Sequence, residues 1–373
     1  MQKVGVFFGG RSCENEISVL TGVFVARLLK ENFEILPVYL HTDGRAYTSP
    51  KMTELDVFKN MKIESFERVI LEEGAAYAFS PTKKKLRKIA KIDAAINCCH
   101  GGFGEGGGVA AWMEQNGVPL ASPDLTASGV FMDKYTTKLV MKGLEVPVLD
   151  YIRVNEKDYE KRGAFLLKSI ASRLKFPVVV KPAHLGSSIG IAVARNEDEA
   201  KTAIENAFLM DDRVLIEKFL ENKQDVNCAA YVLNGEIIVS EAEGAFGDGI
   251  YSFEEKYVKR KSDENREILP KGGGRYALNG FVRDKIRAYT KKIYKRMNMR
   301  GVVRFDFLVS GEEVYLCEVN TVPGSLAYYL FCERLTDAKQ FFTDLVEEAL
   351  RTGNNAKKVF STGILQSVQW NRK

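Results

Sequence analysis

The sequence lacks any Cys-x-x-Cys pair, although it contains six cysteines. Cys98 and Cys99 are adjacent, and most of the others lie within apolar runs. This pattern does not indicate a disulfide framework. We therefore expect reduced, buried thiols in a cytoplasmic protein.

Long hydrophobic runs and a strong charge of one sign are also absent. No apolar stretch approaches the ~20 residues that a membrane-spanning helix needs. The net charge of +5 and the pI near 8.7 are mild. We therefore expect neither a membrane nor a nucleic acid as a partner.

The composition that remains is ordinary for a globular protein, with 45% hydrophobic and 28% charged residues. A length of 373 residues predicts two or three domains. The densest basic run covers residues 83–88, where Leu86, Ile89 and Ile92 recur at helical spacing. We interpret this run as a helix with a solvated basic face rather than as a phosphate-binding patch.

The N-terminal part alternates apolar runs with helical patterns. Residues 4–8 and 33–39 read as strands on either side of a helix, which is the start of a parallel α/β layer. Residues 94–97 read as a further buried strand. Glycines at 9–10 and 101–108 follow strand ends, where ligands bind in open parallel sheets.

From about residue 133 the pattern changes to strands joined by hairpins and helices, which predicts an α+β fold on mostly antiparallel sheets. Asn234-Gly235 between two apolar runs is a strong hairpin signal. Residues 301–309 and 314–320 form a second predicted hairpin. Residues 244–275 are polar and Gly-rich, which is typical of a disordered segment or a mobile functional loop.

The second hairpin carries the most informative polar residues. Residues two apart in a strand face the same side, so Arg304 shares a face with Asp306 and Glu318 shares a face with Asn320. An odd-numbered turn, for instance of three residues, would make the two faces coincide. The resulting oxygen ligands would suit Mg²⁺. An even turn would separate them, and an exposed polar face with an Arg–carboxylate pair is the alternative.

Lys181 and the loop at residues 186–190 form a second candidate site. Glycines and small hydroxyls let backbone N–H groups approach phosphate oxygens, and a lysine neutralises them. A strand pattern follows this loop, so it is not the P-loop motif, which opens a helix. A simple turn is the alternative.

Three further features have both a structural and a functional interpretation. The glycines at 101–108 contain G-x-G spacing, but the context of a dinucleotide-binding fingerprint is missing. His100 is either a buried, hydrogen-bonded histidine or part of a site at a strand end. Glu16 near a helix start is either a carboxylate favoured by the helix dipole or a site residue.

Several motifs follow one another along the chain: Gly9-Gly10-Arg11-Ser12 with Glu16-Ile17-Ser18, residues 100–105, Met132-Asp133-Lys134, Lys181-Pro182 with residues 186–190, residues 217–220, residues 253–257, Arg304-Phe305-Asp306 and residues 318–324. In this order they resemble the D-alanine–D-alanine ligases of the ATP-grasp superfamily, over roughly residues 3–350. Each motif alone is weak, and the ordered set is specific.

The resemblance implies an ATP-grasp fold of three domains, in which ATP lies between the central and C-terminal domains. We place an N-terminal α/β substrate domain at residues 1–132, a central domain at 133–222 and a C-terminal domain at 223–373. The segment at 244–275 would be a lid that keeps water from an acyl-phosphate. A homodimer is also implied, with two Mg²⁺ ions as cofactors and Mn²⁺ as the alternative.

The resemblance also implies roles for individual residues. The ATP-binding residues would be Lys134, Lys181, Ser188, Lys256, Asp225 and the segment formed by Glu217, Lys218, Phe219 and Leu220. The metal ligands would be Asp306, Glu318 and Asn320. Glu16 would hold the ammonium of the first amino acid in a hydrogen-bonded triad with Ser187 and Tyr257, and His100 would contact substrate. Arg304 and the N–H of Gly324 would stabilise an oxyanion.

The activity that follows from the resemblance is ATP-dependent joining of two D-alanines for peptidoglycan synthesis. The sequence departs from the family after Gly324, where the family carries a Thr/Ser-rich stretch and this chain reads Ser-Leu-Ala-Tyr-Tyr-Leu over residues 325–330. Ser325 or a tyrosine hydroxyl would then hold the second carboxylate. A different acceptor, such as D-serine, is the alternative, and a nucleotide-binding protein without ligase activity is a third hypothesis.

Overall fold

The structure is a computed structural model that describes residues 1–244, 278–353 and 362–367. The predicted loop at 244–275, apart from Gly244, lies outside the described residues, and so do Lys256 and Tyr257. Three sheets, each built from a consecutive part of the chain, organise the described residues.

The first sheet has seven strands in the order β6-β5-β4-β3-β2-β1-β7. Its strands are β1 (Lys3–Gly9), β2 (Glu34–Leu40), β3 (Ala46–Thr48), β4 (Glu67–Glu72), β5 (Ala75–Ser80), β6 (Lys85–Lys91) and β7 (Ala94–Asn97). Strand β1 is parallel to both β2 and β7, and helix α1 (Asn15–Leu29) connects β1 to β2. The predicted strand–helix–strand start is thereby confirmed. The short helix α2 (Asp56–Lys59) follows β3.

The basic run after residue 83 is not a helix, and that prediction was wrong. It forms β6, the edge strand of the sheet, which pairs antiparallel with β5. Leu86 is 55% exposed, so the apolar residues at helical spacing do not form a buried stripe. Pairing with β5 determines the conformation here, and lysines on an edge strand oppose further strand pairing.

The second sheet has four antiparallel strands in the order β10-β9-β11-β8, as the antiparallel prediction required. Its strands are β8 (Tyr151–Asn155), β9 (Val178–Pro182), β10 (Ala192–Ala194) and β11 (Arg213–Lys218). Helices α6 (Glu156–Arg173) and α7 (Glu197–Phe208) pack on it. A π-helical turn (Gly104–Gly108) and three α-helices connect the first sheet to this one; the α-helices are α3 (Val109–Gln115), α4 (Leu125–Met132) and α5 (Lys134–Gly143).

The third sheet has five strands in the order β13-β12-β15-β16, with β14 paired to β12. They are β12 (Gln224–Leu233), β13 (Glu236–Val239), β14 (Glu243–Gly244), β15 (Val303–Ser310) and β16 (Glu313–Asn320). Both predicted hairpins are present, and Asn234 and Gly235 have φ values of 53° and 82°. The remaining helices are α8 (Gly280–Arg296), α9 (Leu335–Thr352) and α10 (Ile364–Ser367).

The apolar cores divide the molecule differently from the sheets. One core joins β1 and α1 of the first sheet to α9 and to residues 326–330. Another joins the third sheet and α8 to α4 and α5. The second sheet has its own core with α6 and α7. In the described ranges no helix is long and apolar enough to cross a membrane.

Candidate active site

The β15–β16 hairpin brings the predicted metal ligands to one face. Asp306 lies opposite Glu318, and Arg304 lies opposite Asn320. The turn has two residues instead of an odd number, because Ser310 pairs with Glu313. A β-bulge places one extra residue in β16 between Leu316 and Glu318, next to Asp306 of β15. The bulge shifts the register by one residue, which an odd turn would otherwise have done.

Arg304 and Asp306 form a half-buried bidentate pair. The guanidinium Nε lies 2.7 Å from Asp306 Oδ1 and Nη2 lies 2.9 Å from Oδ2. The Asn320 amide nitrogen lies 3.0 Å from Asp306 Oδ2. Although burial acts against it, Asp306 raises the pKa of Arg304 well above its ordinary value, so the arginine is a permanent cation.

The predicted phosphate lysines converge on this carboxylate face. Lys134 Nζ lies 3.9 Å from Glu318 Oε2 and also donates to the carbonyl of Leu185. Lys181 Nζ lies 2.5 Å from Glu217 Oε2 and 3.7 Å from Cys317 Sγ. Residues from α5, β9, β11 and β16 therefore form one charged cluster.

Lys138 completes that cluster, and the sequence interpretation missed it. Its side chain is 1% exposed and its Nζ lies 2.7 Å from Glu217 Oε1. Burial favours the neutral form of Glu217, but Lys138 and Lys181 outweigh burial and hold the pKa of this carboxyl below its ordinary value. The sequence contained one signal that could have identified Lys138. It lies four residues after Lys134 in α5, and residues with this spacing share a face of the helix.

The loop after β9 contacts the N-terminal part of the chain through Ser187. The Ser187 hydroxyl donates to Glu14 Oε1, and a Cβ on Gly186 would lie 2.9 Å from Glu14 Oε2. The prediction placed Glu16 here, and the structure places Glu14 instead. Glu16 is exposed and lies in the first turn of α1, whereas Glu14 precedes the helix. Two successive left-handed residues, Ser187 and Ser188 with φ of 50° and 59°, shape the loop.

His100 is buried, with 3% of its surface exposed. Its Nδ1 lies 2.7 Å from the carbonyl of Val322 and its Nε2 lies 2.8 Å from Thr21 Oγ1. Burial lowers the pKa of His100 to about 4, so the ring is neutral at pH 7. These contacts match the structural interpretation of His100, in which it holds α1, β7 and the turn after β16 together.

Glu105 connects the same turn to the glycines after β7. Its Oε2 accepts the N–H of Gly101 at 2.8 Å and its Oε1 accepts the N–H of Val322 at 3.2 Å. Burial, with the charge of Glu14, raises the pKa of Glu105 to about 7. This carboxyl was part of a predicted motif, but no role was assigned to it.

The segment after Pro323 contains three successive left-handed residues, Ser325, Leu326 and Ala327. Ser325 is 9% exposed, and its N–H donates to Thr21 Oγ1 at 3.3 Å. The hydroxyl next to Arg304 belongs to Tyr329, 3.2 Å from Nη1. A Cβ added to Gly324 would meet no atom within 4 Å, so its backbone borders open space.

The predicted adenine segment at residues 217–220 comprises the last two residues of β11 and the two residues that follow it. The N–H of Lys218 donates to the carbonyl of Asp150 at 3.0 Å, and the N–H of Phe219 donates to the carbonyl of Pro177 at 3.3 Å. Phe219 and Leu220 are partly exposed. Asp225 lies in β12 and pairs with Lys223, beyond the charged cluster.

Asp306, Glu318 and Asn320 fit a hard divalent cation. They offer two carboxylates and an amide on one half-buried face, and Mg²⁺ prefers such oxygen donors together with phosphate oxygens. Lys134 and Arg304 lie next to them and are cations, a type of group that can bind phosphate and stabilise a developing oxyanion.

Comparison with known proteins gives family matches along most of the chain. The family described as D-ala D-ala ligase N-terminus matches residues 3–123, and the family described as D-ala D-ala ligase C-terminus matches residues 140–351. A D-alanine–D-alanine ligase from Thermosipho melanesiensis is 30% identical over 374 residues, which cover 98% of this chain and 99% of that protein. One from Campylobacter jejuni is 32% identical over 333 residues, covering 88% and 89%.

A solved structure has the same architecture. The crystal structure of D-alanine–D-alanine ligase from Helicobacter pylori superposes with a TM-score of 0.75 at 29% sequence identity. The superposition covers 95% of this chain and 99% of that chain.

Proposed function

We propose, since this chain belongs to the D-alanine–D-alanine ligase family, that it joins two D-alanines with ATP to give D-alanyl-D-alanine for peptidoglycan synthesis. The single observation that supports this most is the convergence of Asp306 and Glu318 with Lys134 and Lys181. A phosphoryl-transfer site needs such an arrangement of cations and carboxylates.

The first step forms an acyl-phosphate. A carboxylate oxygen of the first D-alanine attacks the γ-phosphorus of ATP, and ADP leaves. Lys134 and Lys181 bind the phosphates and offset their charge, with Ser188 and the backbone of the loop after β9 beside them. Asp306, Glu318 and Asn320 would hold Mg²⁺, which supplies further charge neutralisation during the transfer.

The ammonium of the first D-alanine binds Glu14 in this proposal. Ser187 donates to the Glu14 carboxylate, so the phosphate loop and the ammonium site are tied to each other. We assign this role to Glu14 instead of Glu16, because Glu16 is exposed on α1. Tyr257 and Lys256 keep their predicted roles as a proposal, since both lie outside the described residues.

The second step is attack of the amine of the second D-alanine on the acyl carbon, which expels phosphate. The negative charge that develops on the carbonyl oxygen is stabilised by Arg304 and by the N–H of Gly324. Arg304 is pre-positioned for this role because Asp306 holds two of its nitrogens. Phe219, Leu220 and the backbone of Glu217 and Lys218 would enclose adenine, and Asp225 would bind the ribose.

Tyr329 is our candidate for binding the carboxylate of the second amino acid. Its hydroxyl is the one beside Arg304, whereas Ser325 is buried against Thr21. Tyr329 is larger than the Thr or Ser that the family carries in this stretch. This difference favours a second candidate function, in which the acceptor is another small amino acid such as D-serine. The chemistry of the first step is the same in both cases.

The wider organisation of the protein is also a proposal. We infer a cytoplasmic homodimer with domains at residues 1–132, 133–222 and 223–373. The separate core of the second sheet supports a distinct central domain.

The experiment that tests this function measures ADP release from Mg·ATP with single amino acids and with pairs, in both D and L forms. Mass spectrometry identifies the product. ADP release with D-alanine together with a D-alanyl-D-alanine mass supports the proposal. Turnover only with a mixed pair reassigns the acceptor. ATP binding without turnover on any pair contradicts ligase activity.

A further inference from the structure

His184 lies between two carboxylates beside the proposed phosphate site. Its Nδ1 lies 2.9 and 3.0 Å from the two oxygens of Asp211, and its Nε2 lies 3.2 Å from Asp133 Oδ2. Its backbone N–H also donates to Asp211 Oδ2 at 2.7 Å. Both ring nitrogens therefore face acceptors.

The two carboxylates belong to different parts of the molecule. Asp133 caps α5 by accepting the N–H of Thr136 at 2.8 Å, and α5 packs through Met141 on the core of the third sheet. Asp211 precedes β11 of the second sheet, which has its own core. His184 thus connects two separately packed units.

Each unit carries part of the phosphate site. Lys134 is the first residue of α5, and its N–H donates to the carbonyl of Ala183 at 3.1 Å. His184 itself directly precedes the loop that contains Ser187 and Ser188. A displacement of His184 would therefore change the distance between Lys134 and that loop.

Only a doubly protonated ring can donate to both carboxylates, since neutral imidazole has one N–H. The other charged groups at this cluster are Arg213, which lies 2.9 Å from Asp133 Oδ2, and Asp212, which lies 3.4 Å from Arg213 Nε. Three carboxylates thus outnumber one guanidinium around the ring. Hydrogen bonds to Asp133 and Asp211 raise the pKa of His184 to about 9, although burial acts in the opposite direction.

We propose that His184, as an imidazolium, is a positioning residue that holds Lys134 and the loop at 185–190 in register on the ATP phosphates. This inference rests on the proposed function, because it assigns a role within the same site. His184 contacts neither proposed metal ligands nor the reacting atoms, and it acts through Asp133 and Asp211.

Solvent reaches this ring. His184, Asp133 and Arg213 line a cavity of about 600 Å³ that opens between the second sheet and the glycines at 102–108. The side chain is 29% exposed. The ring can therefore exchange its proton with the bulk solution, and its charge follows the pH.

The test compares the wild-type enzyme with His184→Gln over a pH series, with kcat and KM for ATP measured by ADP release. His41→Gln is the matched control, because His41 also pairs with an aspartate but lies outside the site. Near neutral pH we expect His184→Gln to lower kcat/KM for ATP roughly 10-fold, mainly through KM, as for loss of a charge-assisted hydrogen bond. The control should match the wild type.

The decisive quantity is the ratio of wild-type to variant kcat/KM as a function of pH, because titrations elsewhere cancel in it. As pH rises through about 9, wild-type His184 loses its charge and the ratio should fall towards one. A second variant, Asp211→Asn, removes one carboxylate that raises the pKa of His184. In this variant kcat/KM for ATP should therefore begin to fall at a lower pH than in the wild-type enzyme. Retained melting temperatures show that both variants fold.

A ratio that does not change with pH, or an unchanged KM for ATP in His184→Gln, would overturn the inference. An Asp211→Asn profile that declines at the wild-type pH would also contradict it. Failure of the proposed function has a different signature, since the wild-type enzyme would then release no ADP with any pair of amino acids.

Discussion

The carboxylate of Glu14 lies where three segments of the chain approach one another. It accepts the Ser187 hydroxyl, and added Cβ atoms on Gly101 and Gly186 would lie 2.6 and 2.9 Å from its Oε2. Glycine at both positions lets two backbone segments close on one charged group. Gly101 also has a backbone φ of +66°, a conformation that residues other than glycine rarely adopt.

Replacing Glu14 and Glu16 separately tests which carboxylate binds the first substrate. Glu14→Gln keeps the shape but removes the charge, and we expect kcat/KM for D-alanine to fall by roughly 10- to 100-fold, as for a lost charged hydrogen bond. Glu16→Gln should leave it unchanged, because Glu16 is exposed. Steady-state ADP release measures both. The opposite ranking would restore Glu16 to the site.

Asp306 combines two proposed tasks, since it holds Arg304 and would bind Mg²⁺. Asp306→Asn and Glu318→Gln should each reduce ADP formation by at least about 100-fold while the far-UV circular dichroism stays that of the wild type. Glu312→Gln is the control, because Glu312 is an exposed carboxylate in the same hairpin. Normal turnover in the Asp306 and Glu318 variants would remove the metal site.

Tyr329 tests the acceptor site. Tyr329→Phe removes the hydroxyl 3.2 Å from Arg304 Nη1, and the KM for the second amino acid should rise by roughly 10-fold. The affinity for ATP should not change. Tyr47→Phe, which removes a tyrosine hydroxyl in β3, serves as the control. An unaltered KM for the second amino acid in Tyr329→Phe would mean that another group binds the carboxylate of that amino acid.

At the scale of elements, close packing of α1 on β1 fixes the N-terminal end of the site. A Cβ on Gly22 would lie 2.3 Å from Phe8 Cγ, and Phe8 is fully buried. The interaxial distance between this helix and its strand therefore depends on the absence of a side chain. Ser18 on the same helix donates to the carbonyl of Cys98 at 2.7 Å and so ties α1 to the end of β7.

Two glycine substitutions measure the effect of this packing. Gly22→Ala should destabilise the protein by about 1–3 kcal/mol, the usual range for an overpacked core. Gly143→Ala, at the end of α5 with no atom within 4 Å of the added Cβ, should be neutral or stabilise by up to about 1 kcal/mol. Urea unfolding compares the two. Equal stabilities would mean that α1 shifts easily to accommodate the methyl group.

The β-bulge in β16 is the element that makes the carboxylates converge. Strict alternation from Val314 and Leu316, which are buried, would direct Glu318 and Asn320 into the same core. The extra residue reverses the alternation, so Val319 is buried and its two neighbours face the site. From the sequence, convergence was expected only with an odd turn, and an even turn was expected to separate the two faces. The structure has an even turn, and the bulge nevertheless brings the faces together.

For the whole molecule, the distribution of apolar cores sets which parts are firmly joined. The first and third sheets are linked by a core that contains α1 and α9. In this core the ring centroid of Phe24 lies 5.3 Å from that of Tyr328 and 5.7 Å from that of Phe342. The second sheet has a separate core, and its contacts with the rest include the polar Lys138–Glu217 pair and the His184 cluster. The proposed nucleotide site lies at this polar boundary.

Nucleotide binding should therefore stabilise the folded molecule. At about 100 times its dissociation constant, a ligand adds about 2.7 kcal/mol, which corresponds to roughly 3–4 °C in melting temperature for a chain of 373 residues. We expect ADP with Mg²⁺ to raise the melting temperature more than ADP alone. Asp306→Asn should abolish the Mg²⁺-dependent part. An equal shift with and without Mg²⁺ in the wild type would contradict the assignment of the metal ligands.

The sequence by itself determined the strand–helix–strand start of the first sheet, the antiparallel pairing of the second, both hairpins and the residues of the charged cluster apart from Lys138. These features depend on local patterns, such as apolar runs bounded by glycine, the Asn234-Gly235 turn and ordered motifs. The helix expected at residues 83–92 failed because its short apolar pattern was compatible with an edge strand, and pairing with β5 decided between the two.

Only the tertiary structure decided which carboxylate meets Ser187, where the bulge lies, and that Lys138 and His184 belong to the site. Glu14 and Glu16 are two residues apart in similar local sequence, and the position of the loop after β9 distinguishes them. Lys138, Glu217 and Lys181 come from α5, β11 and β9, and His184 meets Asp133 and Asp211 from two separately packed units. Such contacts depend on distances between elements, which local patterns do not specify.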